Sequence, residues 1–316
     1  MKLSELVHLR NQLEELSSNE VHEIVAQQLK PVMHLVETSA IKFPELEQDM
    51  NQGYRQVLTS LTQFGDVLQQ IRDQIQSSIN DMLPAYHAAS YKLYEFGDIT
   101  SDPDYVLNRR PQLAEKDLSL VRGRILVHSH WQKPGMILRP GLETWTRDMV
   151  ALDPLYVCDI NFDLLRPIID NFPEEYQRRL RTCVVQESVG PPFLSKLPDQ
   201  QLGFVLAYNF FTYRPLEIIK QYLEEIYHKL SPGGVLAMSI NDCDRVGGVL
   251  LAERNFACYA TCSMVASLAR NMGYEIQYQY HLDAANTWLE LVRPGTRTSL
   301  RGGQALSVIN HRSLKK

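Results

Sequence analysis

Leu230-Ser231-Pro232-Gly233-Gly234-Val235-Leu236-Ala237-Met238 is the stretch whose reading decides the fold. An amphipathic run leads into it, with Ile218, Ile219, Tyr222, Leu223, Ile226 and Leu230 at helical spacing. Proline cannot continue that helix, and glycine relieves the backbone at its end. The apolar residues from Val235 to Ile240 then read as a strand. The stretch is therefore a helix-to-strand connection, the repeating joint of a parallel sheet covered by helices.

The alternation extends in both directions. Gly203 to Asn209, Thr182 to Gln186 and Leu155 to Asp159 read as strands, and Thr144 to Val150 as a helix. The apolar core of Gly123 to His130 (Ile125, Leu126, Val127) predicts a first strand. Beyond the opening stretch, Tyr259 to Met272 reads as a helix stopped by Gly273. Tyr274 to Tyr280 and Thr287 to Val292 read as a closing hairpin. Asp159 sits at a predicted strand tip. Its distance from Gly141 is close to the roughly 20 residues that separate a glycine turn from a ribose-binding acid in Rossmann-type units.

The Leu-x-Pro-Gly-Gly joint before a fifth strand, the acid at the tip of the second and Asn209 at the tip of the fourth carry a family resemblance. Over roughly residues 120–294 the chain resembles class I S-adenosylmethionine-dependent methyltransferases. The resemblance implies a Rossmann-like α/β domain over residues 119–295 and S-adenosyl-L-methionine as cofactor. It implies cofactor-binding roles for Gly141, Asp159, Glu187 and Asn209, with Glu187 near the adenine. Trp131 to Gly135, Asp153 to Tyr156 and Asn241 to Arg245 look most like methyltransferase-type proteins carried by marine tailed phages.

The chain departs from the family at one loop, acid-x-Gly-x-Gly-x-Gly. Aligned on Gly141, it has Ile137 for the acid, Arg139 for the first glycine and Glu143 for the third. The acid that would pair the methionine ammonium is missing, and a cation stands beside its place. Arg139 is equally read as a structural ion-pair partner at the strand tip. The fourth strand tip reads Asn209-Phe210-Phe211-Thr212, without the prolines of nucleic-acid amino-methyltransferases. His128 and His130 alternate on the predicted strand, but no third ligand is near, so no metal site is expected. Asp242 and Asp244 read as loop charges or a polar rim. No catalytic residue stands out. Two functions follow: a methyltransferase of unknown acceptor with a degenerate cofactor loop, or an inactive methyltransferase fold used in assembly, such as a phage particle component.

Residues 1–118 read differently. Ser17 and Glu20 have capping-box spacing before an apolar run from Val21 to Val36, which Pro31 interrupts. A second helix is expected from Pro44 to Pro84. Its apolar residues (Met50, Tyr54, Val57, Leu61, Phe64, Leu68, Ile71, Ile75, Met82) recur with 4-3 alternation. That seam fits a bundle with residues 3–36 or an intermolecular coiled coil, so the 50–82 helix is the expected contact for a homo-oligomer or another protein. Residues 85–118, with Tyr86, Tyr91, Tyr94 and Tyr105, read as a connector packed on the second domain.

Composition sets the outer bounds. The 316 residues are 44% hydrophobic and 22% charged, with a formal net charge of −5. That balance gives no basic field for nucleic acid, apart from a basic tail over 296–316. No apolar run approaches the roughly 18 residues of a membrane span. Met1 to Leu6 carries an early acid and no signal-peptide core. Cys158, Cys183, Cys243, Cys258 and Cys262 are odd in number and lack a C-x-x-C pair. They read as free thiols, which suits a cytoplasmic protein or a virion component.

Overall fold

The computed structural model describes residues 2–17, 34, 44–95, 114–140, 144–160, 162–185, 187 and 190–295. The apolar run over 21–36, Gly141, Glu143 and the tail over 296–316 lie outside the described residues. The chain divides into two compact units, Met1–Pro84 and Ala85–Lys316.

The second unit is built on a seven-stranded sheet. Its strands are β1 (Gly135–Leu138), β2 (Leu155–Asp159), β3 (Leu180–Val184), β4 (Leu202–Ala207), β5 (Leu230–Asn241), β6 (Glu275–His281) and β7 (Asn286–Val292). The spatial order is β3-β2-β1-β4-β5-β7-β6. The first five strands are mutually parallel, and β7 runs antiparallel to both β5 and β6. This is the Rossmann-like α/β sheet of class I methyltransferases, with its antiparallel closing pair.

Alternation along the strands feeds two cores. Met136 and Leu138 of β1, Val205 of β4 and Leu236, Met238 and Ile240 of β5 enter one cluster. Ile137, Phe204, Leu206 and Ala237 enter the other. Strands buried on both faces need such continuous apolar runs. Numbered among the helices in chain order, α3 is Glu115–His128, α4 Thr144–Asp148, α5 Phe162–Asp170 and α6 Glu174–Gln177; α7 is Leu216–Lys229, α8 Val246–Glu253 and α9 Cys262–Asn271. Residues of α7 and α9 (Tyr222, Ile226, Val265) fill the first core; residues of α3, α4 and α5 (Ile125, Trp145, Leu165) fill the second.

The Ser-Pro-Gly-Gly joint is a bulge within β5. Register runs from the Leu202–Leu230 pair to the Phe204–Val235 pair, so β5 carries extra residues between two consecutive contacts. Gly233 has φ 74°, which favours glycine. A Cβ on Gly234 would lie 2.7 Å from the Leu202 carbonyl oxygen. A tighter approach occurs in α8, where a Cβ on Gly248 would meet the Asp242 carbonyl oxygen at 2.0 Å.

The predicted first strand over Gly123 to His130 is overturned. Gly123 to His128 belong to α3, Ser129 and His130 follow it, and the first strand is Gly135–Leu138. Val121, Ile125 and His128 face inward at helical spacing, whereas Leu126 and Val127 are exposed. A short apolar run does not distinguish helix from strand. Nor does His128 alternate with His130 on a strand: it ends α3 and bonds Glu290 Oε2 through Nε2 at 3.0 Å. Glu290 is wholly buried on β7. It accepts from Arg124 Nε at 2.7 Å, from Arg124 Nη2, and from Trp288 Nε1 at 3.0 Å. Burial pushes its carboxyl up, but the donors outweigh burial and hold it at about 2.

In the first unit, α1 (Leu3–Ser17) buries Leu3, Leu6 and Val7. The long helix α2 runs from Pro44 to Glu95, 52 residues, and carries the chain into the second unit. The expected stop at Pro84 is overturned, since Pro84 lies inside α2. Along the seam Phe64 is 57% exposed and Ile71 39%; beside it Val67 is 50% exposed and Ile79 is buried. The side chains of Tyr54, Val57 and Leu61 lie outside the described residues. Among the described residues no helix is long and apolar enough to cross a membrane.

Two glycines should respond oppositely to substitution. Gly248→Ala forces a Cβ against backbone and should destabilise by about 1–3 kcal/mol. Gly123→Ala, in α3 with nothing within 4 Å, should stabilise by about 0.5–1 kcal/mol. Urea unfolding measures both. Glu290→Gln should cost about 3 kcal/mol at neutral pH by breaking a buried pair. Because the folded carboxyl is depressed from 4.5 to about 2, its stabilisation is present above 4.5 and fades as pH falls toward 2. The gap between Glu290→Gln and the unmodified chain should narrow across that window.

Candidate functional site

Five parallel strands bring their carboxyl ends to one edge. Chain order reverses between β1 and β4, the place where open α/β sheets leave a crevice for ligands. Arg139 follows β1, Asp159 ends β2, Glu187 lies just beyond β3, Asn209 just beyond β4 and Asp242 just beyond β5. Thus Asp159, Glu187 and Asn209 share one edge, and Gly141 falls outside the described residues.

Arg139, which the sequence reading sets at the place of the family's first glycine, has φ 52°. Its N–H donates to the Cys158 carbonyl at 2.7 Å, and the residue is 8% exposed. The backbone is thus left-handed at a residue with a buried cationic side chain. On the adjoining strand Asp159 is buried, and its Oδ1 accepts from the Ile160 N–H at 2.7 Å. The register pairs Leu138 with Cys158, so Arg139 and Asp159 come next along neighbouring strands.

Glu187 is committed within the protein. Its Oε1 accepts from Arg214 Nε at 2.9 Å, Arg214 Nη2 at 2.5 Å and Tyr222 Oη at 2.5 Å. Its Oε2 accepts from Tyr94 Oη at 3.0 Å. Arg214 is 2% exposed, donates Nη1 to the Phe210 carbonyl at 2.6 Å, and stacks 3.5 Å above the Phe210 ring. Burial, and after it the Glu187 charge, pushes the Tyr94 and Tyr222 hydroxyls well above their ordinary value. Both remain protonated donors at neutral pH.

Tyr94 belongs to the last turns of α2, and further contacts hold those turns. Ser90 is buried; its Oγ accepts from the Tyr259 N–H at 2.7 Å. His87 meets the Tyr259 ring edge-on at 5.5 Å. The sequence reading missed Arg214, Tyr222, Ser90 and the role of Tyr94. The only clue was one arginine inside the aromatic run Phe210-Phe211-Thr212-Tyr213-Arg214.

The other polar groups at the edge also bond within the protein. Asn209, at φ 53°, donates its N–H to Ser239 Oγ at 2.7 Å and accepts from it at Oδ1. Asp242 is buried, with Oδ1 accepting from the Cys262 N–H at 2.9 Å and Oδ2 from Thr287 Oγ1 at 2.6 Å. Asp244 Oδ2 accepts from the Ser263 N–H at 2.9 Å. These acids cap α9. Among the described residues no group of three His, Cys, Asp or Glu side chains is placed to hold a metal.

A sulfonium cofactor fits this edge poorly. Ile137, read at the place of the acid that pairs its ammonium, is buried in the core, and the residue directly after β1 is the cationic Arg139. The carboxylate expected near the adenine already holds four donor contacts from the protein.

No family model matches the chain, and no curated protein does. Solved structures do. A SAM-dependent methyltransferase from Aquifex aeolicus is 10% identical, covering 61% of this chain and 98% of its own, with TM-score 0.43. A sarcosine dimethylglycine methyltransferase from Galdieria sulphuraria, described as putative, is 12% identical over 57% and 85%, TM-score 0.45. The [4+2]-cyclase SpnF is 11% identical over 55% and 80%, TM-score 0.44. The strand order defines the class: a methyltransferase-like Rossmann fold.

Glu187→Gln would leave the Arg214 guanidinium buried without its counter-charge, and should destabilise by about 3–5 kcal/mol. Tyr94→Phe removes one hydrogen bond and should cost about 1 kcal/mol. Denaturant midpoints at constant m-value distinguish the two.

Proposed function

We propose that this chain works by assembly: α2 presents its apolar seam to a second copy, and the methyltransferase-like domain anchors that helix. The observation that carries the reading is the commitment of Glu187. An acid at the place of a cofactor contact instead pairs Arg214 and holds Tyr94 at the end of α2. The exposure of Phe64, Val67 and Ile71 supports it. A 4-3 apolar repeat complements a copy of itself, which is why the partner is another copy of this chain. Val67 beside the seam widens the stripe toward the three-per-heptad face of a bundle.

Light scattering on the full chain should give an oligomer, and Phe64→Asp with Ile71→Asp should give a monomer with the sheet intact by circular dichroism. A monomeric unmodified chain at high concentration defeats the proposal.

A second reading, methyl transfer from S-adenosyl-L-methionine to an unidentified acceptor, has one observation in its favour. Asp159 stands at the β2 tip beside the crevice, where an acid takes ribose hydroxyls. Methyl transfer needs little beyond in-line positioning, so a missing catalytic motif is no obstacle. The cation at Arg139 opposes it. Titration calorimetry should find no micromolar affinity for S-adenosyl-L-methionine, and Arg139→Gly should strengthen whatever binding exists. Micromolar binding by the unmodified chain, weakened about tenfold or more by Asp159→Ala, would favour the enzyme instead.

A further inference from the structure

Cys158 and Cys183 face each other across β2 and β3, paired directly in the parallel register. Both are free thiols. Both enter the same core cluster, so their side chains leave the sheet on one face. Neighbouring strands lie roughly 4.8 Å apart. That separation falls within the roughly 4.4–6.8 Å Cα spacing of disulfides.

The two sulfurs differ in environment. Burial pushes the Cys158 thiol far up, so it keeps its proton and donates to Cys183. That hydrogen bond, aided by the Lys196 charge and opposed by burial, brings Cys183 down to about 7. The remaining thiols shift the other way: burial pushes Cys258 and Cys262 up to about 12 and Cys243 higher still. Cys183 also lies on β3, an edge strand among the described residues, and is 6% exposed. A thiolate with an adjacent protonated thiol is the arrangement of an oxidisable cysteine and its resolving partner.

We infer that Cys158 and Cys183 form a redox modification site, which closes to a disulfide under hydrogen peroxide. The Cys183 thiolate attacks one peroxide oxygen; the O–O bond breaks, hydroxide leaves and Cys183 becomes a sulfenic acid. Cys158 sulfur then attacks the Cys183 sulfur. The S–O bond breaks, and its oxygen leaves as water with the proton from Cys158. Two thiols are oxidised by two electrons, and one peroxide is reduced to two waters. The bond would stitch β2 to β3 immediately below Asp159, whose carbonyl already accepts from the Val185 N–H at 2.8 Å.

The test uses the full chain and stoichiometric hydrogen peroxide, followed by alkylation and non-reducing peptide mapping. The expected result is one cross-linked peptide joining Cys158 to Cys183, with a mass loss of two hydrogens. Cys158→Ala should leave Cys183 as a sulfenic acid that dimedone traps; Cys183→Ala should leave Cys158 reduced. A disulfide involving Cys243, Cys258 or Cys262, or a Cys183 that oxidises no faster than Cys243, would overturn the inference. Mapping of the unmodified chain decides this even if a variant fails to fold.

Discussion

The edge of this sheet depends on the ion pair between Glu187 and Arg214. A guanidinium at 2% exposure is tenable only with a counter-charge and with its remaining donors satisfied. Glu187 supplies the charge, the Phe210 carbonyl takes another N–H, and the Phe210 ring covers the cation's face. Once Glu187 is committed in this way, Tyr222 and Tyr94 can donate to the same carboxylate at little added desolvation. One pair thus fixes α7, the β3 tip and the end of α2 together.

A second buried acid does comparable work away from the edge. Glu290 holds a buried position on β7 and pairs with Arg124 and His128 of α3. Burial opposes its charge, and the donors more than compensate, which is why its carboxyl lies at about 2. Both acids turn a helix contact that apolar packing alone leaves free to slide into one with a single register. Both also require their partners, since removing one leaves a charge in the core.

Much of the fold was legible because its strands are apolar runs bounded by turn residues. Leu155–Asp159, Leu202–Ala207 and the Glu275–Val292 hairpin lie within a few residues of the sequence reading. The Pro-Gly-Gly joint was legible because a close approach at Gly234 and a positive φ at Gly233 leave few residues acceptable. The region before β1 was misread. Ile125-Leu126-Val127 has strand composition, and its helical partners, the core around Val121 and Ile125 and the acid Glu290, lie far away in sequence. Pro84 misled for a similar reason. A proline inside a helix costs roughly 3 kcal/mol, and the contacts of Ser90 and Tyr94 beyond it offset that cost.

The site was legible in its positions and not in its chemistry. Topology alone carries Asp159, Glu187 and Asn209 to one edge, because every parallel strand ends there. What each residue does depends on partners that spacing does not reveal. Arg139 makes the distinction plain. A non-glycine residue in the left-handed region is disfavoured by roughly 1–2 kcal/mol, yet Arg139 holds that conformation directly after β1. The backbone path thus follows from the sheet, which needs the chain to leave β1 there whatever the loop binds. The side chain is free of that requirement, and here it adds a buried cation next along the sheet edge from Asp159. Left-handed backbone at Arg139 is evidence about folding; only charge bears on the ligand.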